Sequence, residues 1–151
     1  MLNHGVTISG FGVSIPETVH SNQSIQNNAP TSVQWIEEKL GIYERRISTG
    51  ETVSDLGAQA ARHAMKNANL IEQDIDMIIV ATSSPERISP STACTIHRKL
   101  NFKKNIPCFD INAVCSGFVF AMHICAPMIS SKMYKNILII GSEVYSKITD
   151  W

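Results

Sequence analysis

Between Gly117 and Ile129 the chain reads GFVFAMHICAPMI, and its only strongly polar side chain is His123. A helix over this stretch has no solvent face, so it predicts a helix enclosed on all sides, with a layer of protein against each. Pro127 removes a backbone bond to residue 123 and predicts a kink. Three other stretches supply candidate layers. DMIIVATSS, IPCFDINA and KNILIIGSE are apolar almost throughout, short enough to be strands, and separated by helical patterns. Strands without polar alternation predict a mixed, mainly parallel sheet covered on both faces, which is the α/β class.

The other elements follow from local signals. Val6 to Val13 is rich in β-formers and predicts a first strand ending near Pro16. Thr31 or Ser32 can cap a helix through Leu40, with Gly41 as its stop and Trp35 riding on it. In ETVSDLGAQAARHAMKNANL, Thr52 and Ser54 are candidate caps, and Leu56, Ala60, Ala64 and Ala68 repeat every four residues. That narrow, Ala-rich face suits close packing on a sheet. In SPSTACTIHRKLN, Pro90 sets the first turn and Ser89 or Ser91 caps it.

Composition narrows the function classes. Thirteen Lys plus Arg balance thirteen Asp plus Glu in 151 residues, so no long-range field selects nucleic acid or an anionic membrane. The N-terminus lacks a basic start followed by a long apolar segment, and no run reaches the roughly 18 apolar residues of a membrane span. A cytoplasmic protein is expected. Four cysteines (Cys94, Cys108, Cys115, Cys125) follow no metal-ligand spacing and predict reduced thiols rather than disulfides or structural zinc. The chain stops at ITDW, just after a buried strand, and these residues do not obviously supply the layer that the Gly117 helix needs. A portion of a larger protein is expected.

Cys115 sits at the joint between a strand and that helix. A side chain there meets the positive end of the helix macrodipole and backbone amides with no intrahelical partner. Both favour an anion, so the position suits a nucleophilic thiolate whose neighbouring amides hold the oxyanion formed on attack at a carbonyl. A buried structural cysteine is the competing reading.

The segment DINAVCSGFVFAM resembles the nucleophile segment of the ketoacyl-ACP synthase III group of the thiolase superfamily. The likeness runs along the chain: Gly10, Gly12 and Pro16 in the opening strand, TSVQWIEEKLGIYERRI, ETVSDLGAQAA, IIVATSSPERISPSTAC and ILIIGSEVYSK. What it implies is the N-terminal, nucleophile-bearing half (residues 1–151) of a thiolase-like enzyme built from two duplicated halves. Cys115 would take an acyl group from acyl-CoA, and the thioester would be attacked by the carbanion left when malonyl-ACP loses CO2. No cofactor is implied beyond the CoA thioester substrate. The family's His and Asn that stabilise the enolate lie in the C-terminal half, and none of the five His here sits in a matching motif. His123 reads as a core histidine. The 151 residues alone are therefore expected not to condense substrates.

The resemblance also assigns substrate contacts. Trp35 matches a tryptophan that stacks on the CoA adenine, and Lys39 falls where relatives often carry an Arg against the CoA phosphates, without its bidentate fork. Ser89 stands where relatives using short acyl-CoAs often have a Phe that crosses the dimer interface, and Tyr43 replaces a common Arg. A smaller residue at 89 could admit a longer acyl group. Arg98, Lys99, Lys103 and Lys104 read as a solvated helix end in preference to an ACP-docking patch. A homodimer is implied, paired through the strand at about Ile106 to Ile111. Two other readings stand beside this one: a thiolase-fold acyltransferase of secondary metabolism, and a non-catalytic dimerising fragment.

Overall fold

The computed structural model describes residues 5–150. They divide into two compact units, residues 5–14 with Thr52–Glu143, and Ile15–Glu51 with residues 144–150. The elements are β1 (Val19–Ser21), α1 (Asn22–Gln26), α2 (Val33–Leu40), β2 (Glu44–Arg46), α3 (Val53–Asn67), β3 (Met77–Ala81), α4 (Thr92–Lys99), β4 (Cys108–Ile111), α5 (Gly117–Ser130) and β5 (Ile137–Gly141).

The first unit is built on a parallel sheet of order β4-β3-β5. Ile78 pairs with Cys108 on one side and Leu138 on the other. Every residue of β3 is buried, and Ile78 and Ile79 are wholly so, which explains the unbroken apolar run. Their opposite faces serve two cores. Ile78 and Val80 pack with Ala58, Ala61 and Met65 of α3 and Ile96 of α4. Met77 and Ile79 pack with Ala121 and Cys125 of α5. Each of the Ile, Val and Met side chains contributes about 1.5–3 kcal/mol on burial. The expected sheet covered on both faces is therefore present.

Capping fixes where the helices begin. Thr52 Oγ1 accepts from the Asp55 amide while Asp55 Oδ2 accepts from the Thr52 amide, a reciprocal box at the start of α3. Ser91, not Ser89, caps α4 by accepting from the Cys94 amide at 3.1 Å. Lys99 then ties α4 to α3 through Asp55 at 2.6 Å.

Two expectations are corrected. Among the described residues, Val6 to Val13 forms no strand and has no ladder to β5. It lies instead along α3: Gly10 has no room for a Cβ, which would lie 2.6 Å from Ala64 O, and at Gly12 a Cβ would meet Ala60 O and Ala64 N. The Ala-rich face of α3 thus receives a backbone segment, while Leu56, Gly57, Ala58, Ala61 and Met65 are among its buried residues. The second correction concerns α5, which is buried only along Gly117, Ala121 and Cys125. Phe118, Val119, Phe120 and Ile124 are exposed, and so is His123, which is no core histidine among the described residues. The chain places one layer against α5, and its sequence demands two. Pro127 lies within α5, which continues to Ser130.

The second unit pairs β1 with β2 antiparallel, Val19 opposite Arg46. Ser32 caps α2 by accepting from the Trp35 amide, and Gly41 ends it in a left-handed conformation at φ 66°, as the sequence predicts. Buried Asn22 joins the pieces: its Nδ2 donates to Ile42 O at 2.8 Å and to Glu37 Oε1 at 3.3 Å.

Candidate functional site

The loops that follow β3, β4 and β5 leave the C-terminal edge of one parallel sheet, the edge where open α/β sheets hold their ligands. After β4 the chain makes a single turn of 3-10 helix, Val114–Ser116, and then enters α5. Cys115 sits in that turn and is exposed. Val114 before it adopts φ 47°, a left-handed conformation that is a genuine outlier for a β-branched residue. Strain of this kind persists only where surrounding contacts impose it. Here Ser116 Oγ donates to Ala113 O at 2.8 Å and closes the turn from the far side.

Gly117 brings α5 close to the sheet, since a Cβ there would come within 3.2 Å of the Ala81 side chain. Ser116, the residue before α5, makes no capping bond with its side chain. The thiol therefore stands beside the first, uncapped turn of a helix pressed against β3. That arrangement can stabilise a thiolate and an adjacent oxyanion. Two of the other thiols are shielded. Burial pushes Cys125 up to about 11, and burial followed by the neighbouring Cys94 does the same for Cys108.

Two carboxylates brace this edge, and sequence reasoning assigned no role to either. Asp110, on β4, accepts from the Thr92 amide at 2.6 Å and the Ala93 amide at 2.8 Å, capping α4 from the neighbouring element. The signal was visible as the Asp of DINAVC, but its partners lie 18 and 17 residues away. Glu143, just past β5, accepts from the Ser83 amide and hydroxyl, both at 2.7 Å, from the Ser84 amide at 2.9 Å, and from the Ser84 hydroxyl. Partial burial pushes the Glu143 carboxyl upward, yet the Ser84 and Ser83 donors outweigh it and hold it below its ordinary value. Glu143 thereby clamps the start of the β3–α4 loop, and Glu86 anchors its middle by accepting from the Ser54 amide at 2.7 Å.

Ser89 lies exposed on that braced loop, next to Ile88, whose side chain is 99% exposed. Trp35 and Lys39 belong to the second unit, one helical turn apart and both exposed on α2. Trp35 borders an open hollow of about 550 Å³ with Pro30, Thr31 and Ser32. Tyr43 is exposed. In the basic cluster, Lys99 pairs with Asp55 and Lys104 with Asp76. No group of three His, Cys, Asp or Glu residues is placed to hold a metal ion, and no helix is long and apolar enough to cross a membrane, among the described residues.

Comparison with known proteins places this arrangement. The Aquifex aeolicus 3-oxoacyl-[acyl-carrier-protein] synthase III structure superposes with a TM-score of 0.93 at 41% identity, covering 97% of this chain and 47% of that one. The priming β-ketosynthase of the R1128 polyketide pathway superposes with a TM-score of 0.89 at 28% identity, over 95% of this chain and 43% of that one. The fold is thus thiolase-like α/β. In sequence, residues 109–151 match the family model of 3-oxoacyl-[acyl-carrier-protein (ACP)] synthase III. The β-ketoacyl-[acyl-carrier-protein] synthase III of Clostridium acetobutylicum is 45% identical over 148 residues, 98% of this chain and 45% of the relative. Over nearly its whole length the chain is similar to β-ketoacyl-ACP synthases III, and it spans about half the length of the curated relatives it matches.

Proposed function

We propose that this chain is the nucleophile-bearing portion of a β-ketoacyl-ACP synthase III, residues 1–151 forming the N-terminal half. The observation that carries the reading is the placement of Cys115, exposed on a left-handed turn at the uncapped start of a helix packed on the sheet. In the full enzyme the Cys115 thiolate attacks the thioester carbonyl of acyl-CoA. The amides around the turn hold the oxyanion, and CoA leaves as its thiol. Attack by the carbanion from malonyl-ACP then gives the 3-ketoacyl-ACP and frees the cysteine. The groups that stabilise that carbanion are contributed by the half not represented here.

Exposed Trp35 offers a broad π-face for the adenine, and Lys39, one turn on, offers an ammonium for the CoA phosphates. Ser89 fits a role in acyl-length selection, since its loop is held by Glu143 and Glu86. The open edge at β4 supports a homodimer paired through that strand, because an unpaired apolar edge is a liability. The site needs no cofactor for this chemistry, and a cytoplasmic setting suits free thiols. Similarity to the R1128 priming ketosynthase favours, as a second reading, an acyltransferase of secondary metabolism.

Steady-state rates of the full-length protein over a series of acyl-CoA lengths, with malonyl-ACP as acceptor, test both. Condensation lost in Cys115→Ala and a preference for longer chains are the expected results. Acyl transfer without malonyl-dependent condensation selects the second reading, and full activity in Cys115→Ala rejects both.

A further inference from the structure

Cys94 and Cys108 take no part in the chemistry proposed for Cys115, yet the fold places them together. Cys108 opens β4, and its side chain packs against the core shared by α3, α4 and the sheet. Cys94 lies in the first turn of α4, and its Sγ is 3.8 Å from Cys108 O, a weak S–H donor contact. By standard backbone bond lengths that sulfur is no more than about 6 Å from the Cys108 Cα, on the scale of gap that a disulfide bridges.

The carbonyl that Cys94 meets faces outward. Pro107 O and Ile111 O accept from the Ile78 and Thr82 amides of the neighbouring strand at 3.0 and 3.1 Å. Carbonyls alternate in direction along a strand, so Cys108 O points away from β3, toward the open edge of the sheet. Access comes from that edge: Cys94 is exposed and Cys108 is half-buried behind it. The remaining thiols lie elsewhere. Cys125 packs in the core on the opposite face of the sheet, and Cys115 lies past the far end of β4. Burial, and then the neighbouring Cys94, pushes the Cys108 thiol up to about 11, so Cys108 is protonated at neutral pH. Cys94, open to solvent, is the thiol that meets an oxidant first.

We propose that Cys94 and Cys108 form a redox-active pair, which a hydroperoxide converts to an intrachain disulfide tying α4 to the open-edge strand. The Cys94 thiolate attacks the terminal peroxide oxygen and breaks the O–O bond. Cys94 becomes a sulfenic acid, and water leaves when the oxidant is hydrogen peroxide. The Cys108 sulfur then attacks the Cys94 sulfur. The S–S bond forms, the S–O bond breaks, and the hydroxide departs as water with the Cys108 proton. Two thiols lose two electrons in all, and the O–O bond takes them up. Thiol exchange reverses the bond, and its formation spares Cys94 the irreversible step to the sulfinic acid.

The test treats the native 151-residue chain with a small excess of hydrogen peroxide at neutral pH, blocks free thiols with iodoacetamide, and sequences non-reduced peptides by mass spectrometry. The expected product is lighter by two hydrogens, carries a Cys94–Cys108 link as its dominant disulfide, and returns to the dithiol with dithiothreitol. Because the fold holds the pair together, the link should form at least about tenfold faster in the native chain than in urea-unfolded chain. In Cys108→Ser, Cys94 should stop as a sulfenic acid that dimedone traps; if that variant does not fold, the wild-type peptides decide alone. Three results overturn the idea: Cys94 oxidised while Cys108 stays a free thiol, Cys94 linked to Cys115 or to a second chain, or linkage as fast in urea as in the native chain. Cys115→Ala should give the same link, which separates this outcome from acylation of Cys115.

Discussion

Two of the four thiols are exposed and two are shielded, which makes Cys94 an internal standard for Cys115. Under limiting iodoacetamide at neutral pH, Cys115 is expected to label faster than Cys94, and both faster than Cys108 and Cys125, whose thiols are pushed up to about 11. Peptide mapping reads the order, and equal rates at Cys94 and Cys115 would remove the argument for an activated nucleophile. The sequence located this cysteine at a strand-to-helix joint, and the joint is there. It did not show the left-handed Val114, since a β-branched residue is the last type that local propensity would put at φ 47°. Asp110 was equally hidden, because its function depends on amides 17 and 18 residues away. Replacing it by Ala strands two amides at the start of α4 and should cost about 2 kcal/mol, measured as a lower urea midpoint at unchanged slope.

The helices were legible wherever a cap and a period coincided, as at Thr52, Ser91 and Ser32. What α3 packs against was not, because period four marks a face without naming its partner. Gly12→Ala forces a methyl group into the Ala60 carbonyl and should destabilise the first unit by about 1–3 kcal/mol. Gly50→Ala, where a Cβ meets nothing within 4 Å, is the control and should leave thermal unfolding unchanged. The α3–α4 tie carries a pH signature. Lys99, and after it Thr52, lowers Asp55 from 3.8 to about 2. A carboxyl depressed on folding adds stability that is full above its unfolded value and lost as pH falls toward the folded one. The stability of the wild-type chain should therefore decline between about pH 4 and pH 2. Lys99→Met should flatten that part of the profile in urea titrations.

At the scale of the molecule, the sequence of α5 asked for two covering layers and the chain provides one. Phe118, Val119, Phe120 and Ile124 remain open to solvent, a contiguous apolar stretch of the kind that marks an interaction surface. The 151-residue protein should bind a fluorescent apolar dye such as ANS while its near-ultraviolet dichroism stays native. Loss of that dichroism would instead indicate a loosened state throughout. The parallel sheet could be read because its strands and the helices that cover it all lie within these residues. The Glu143 clamp adds a matter of timing. Its serine partners are made some 60 residues earlier. At about 5–20 residues per second, a ribosome leaves them without their acceptor for roughly 3–12 seconds. During that interval the loop bearing Ser89 is open to any chaperone or protease that meets the nascent chain, and it takes its final shape only when β5 is delivered.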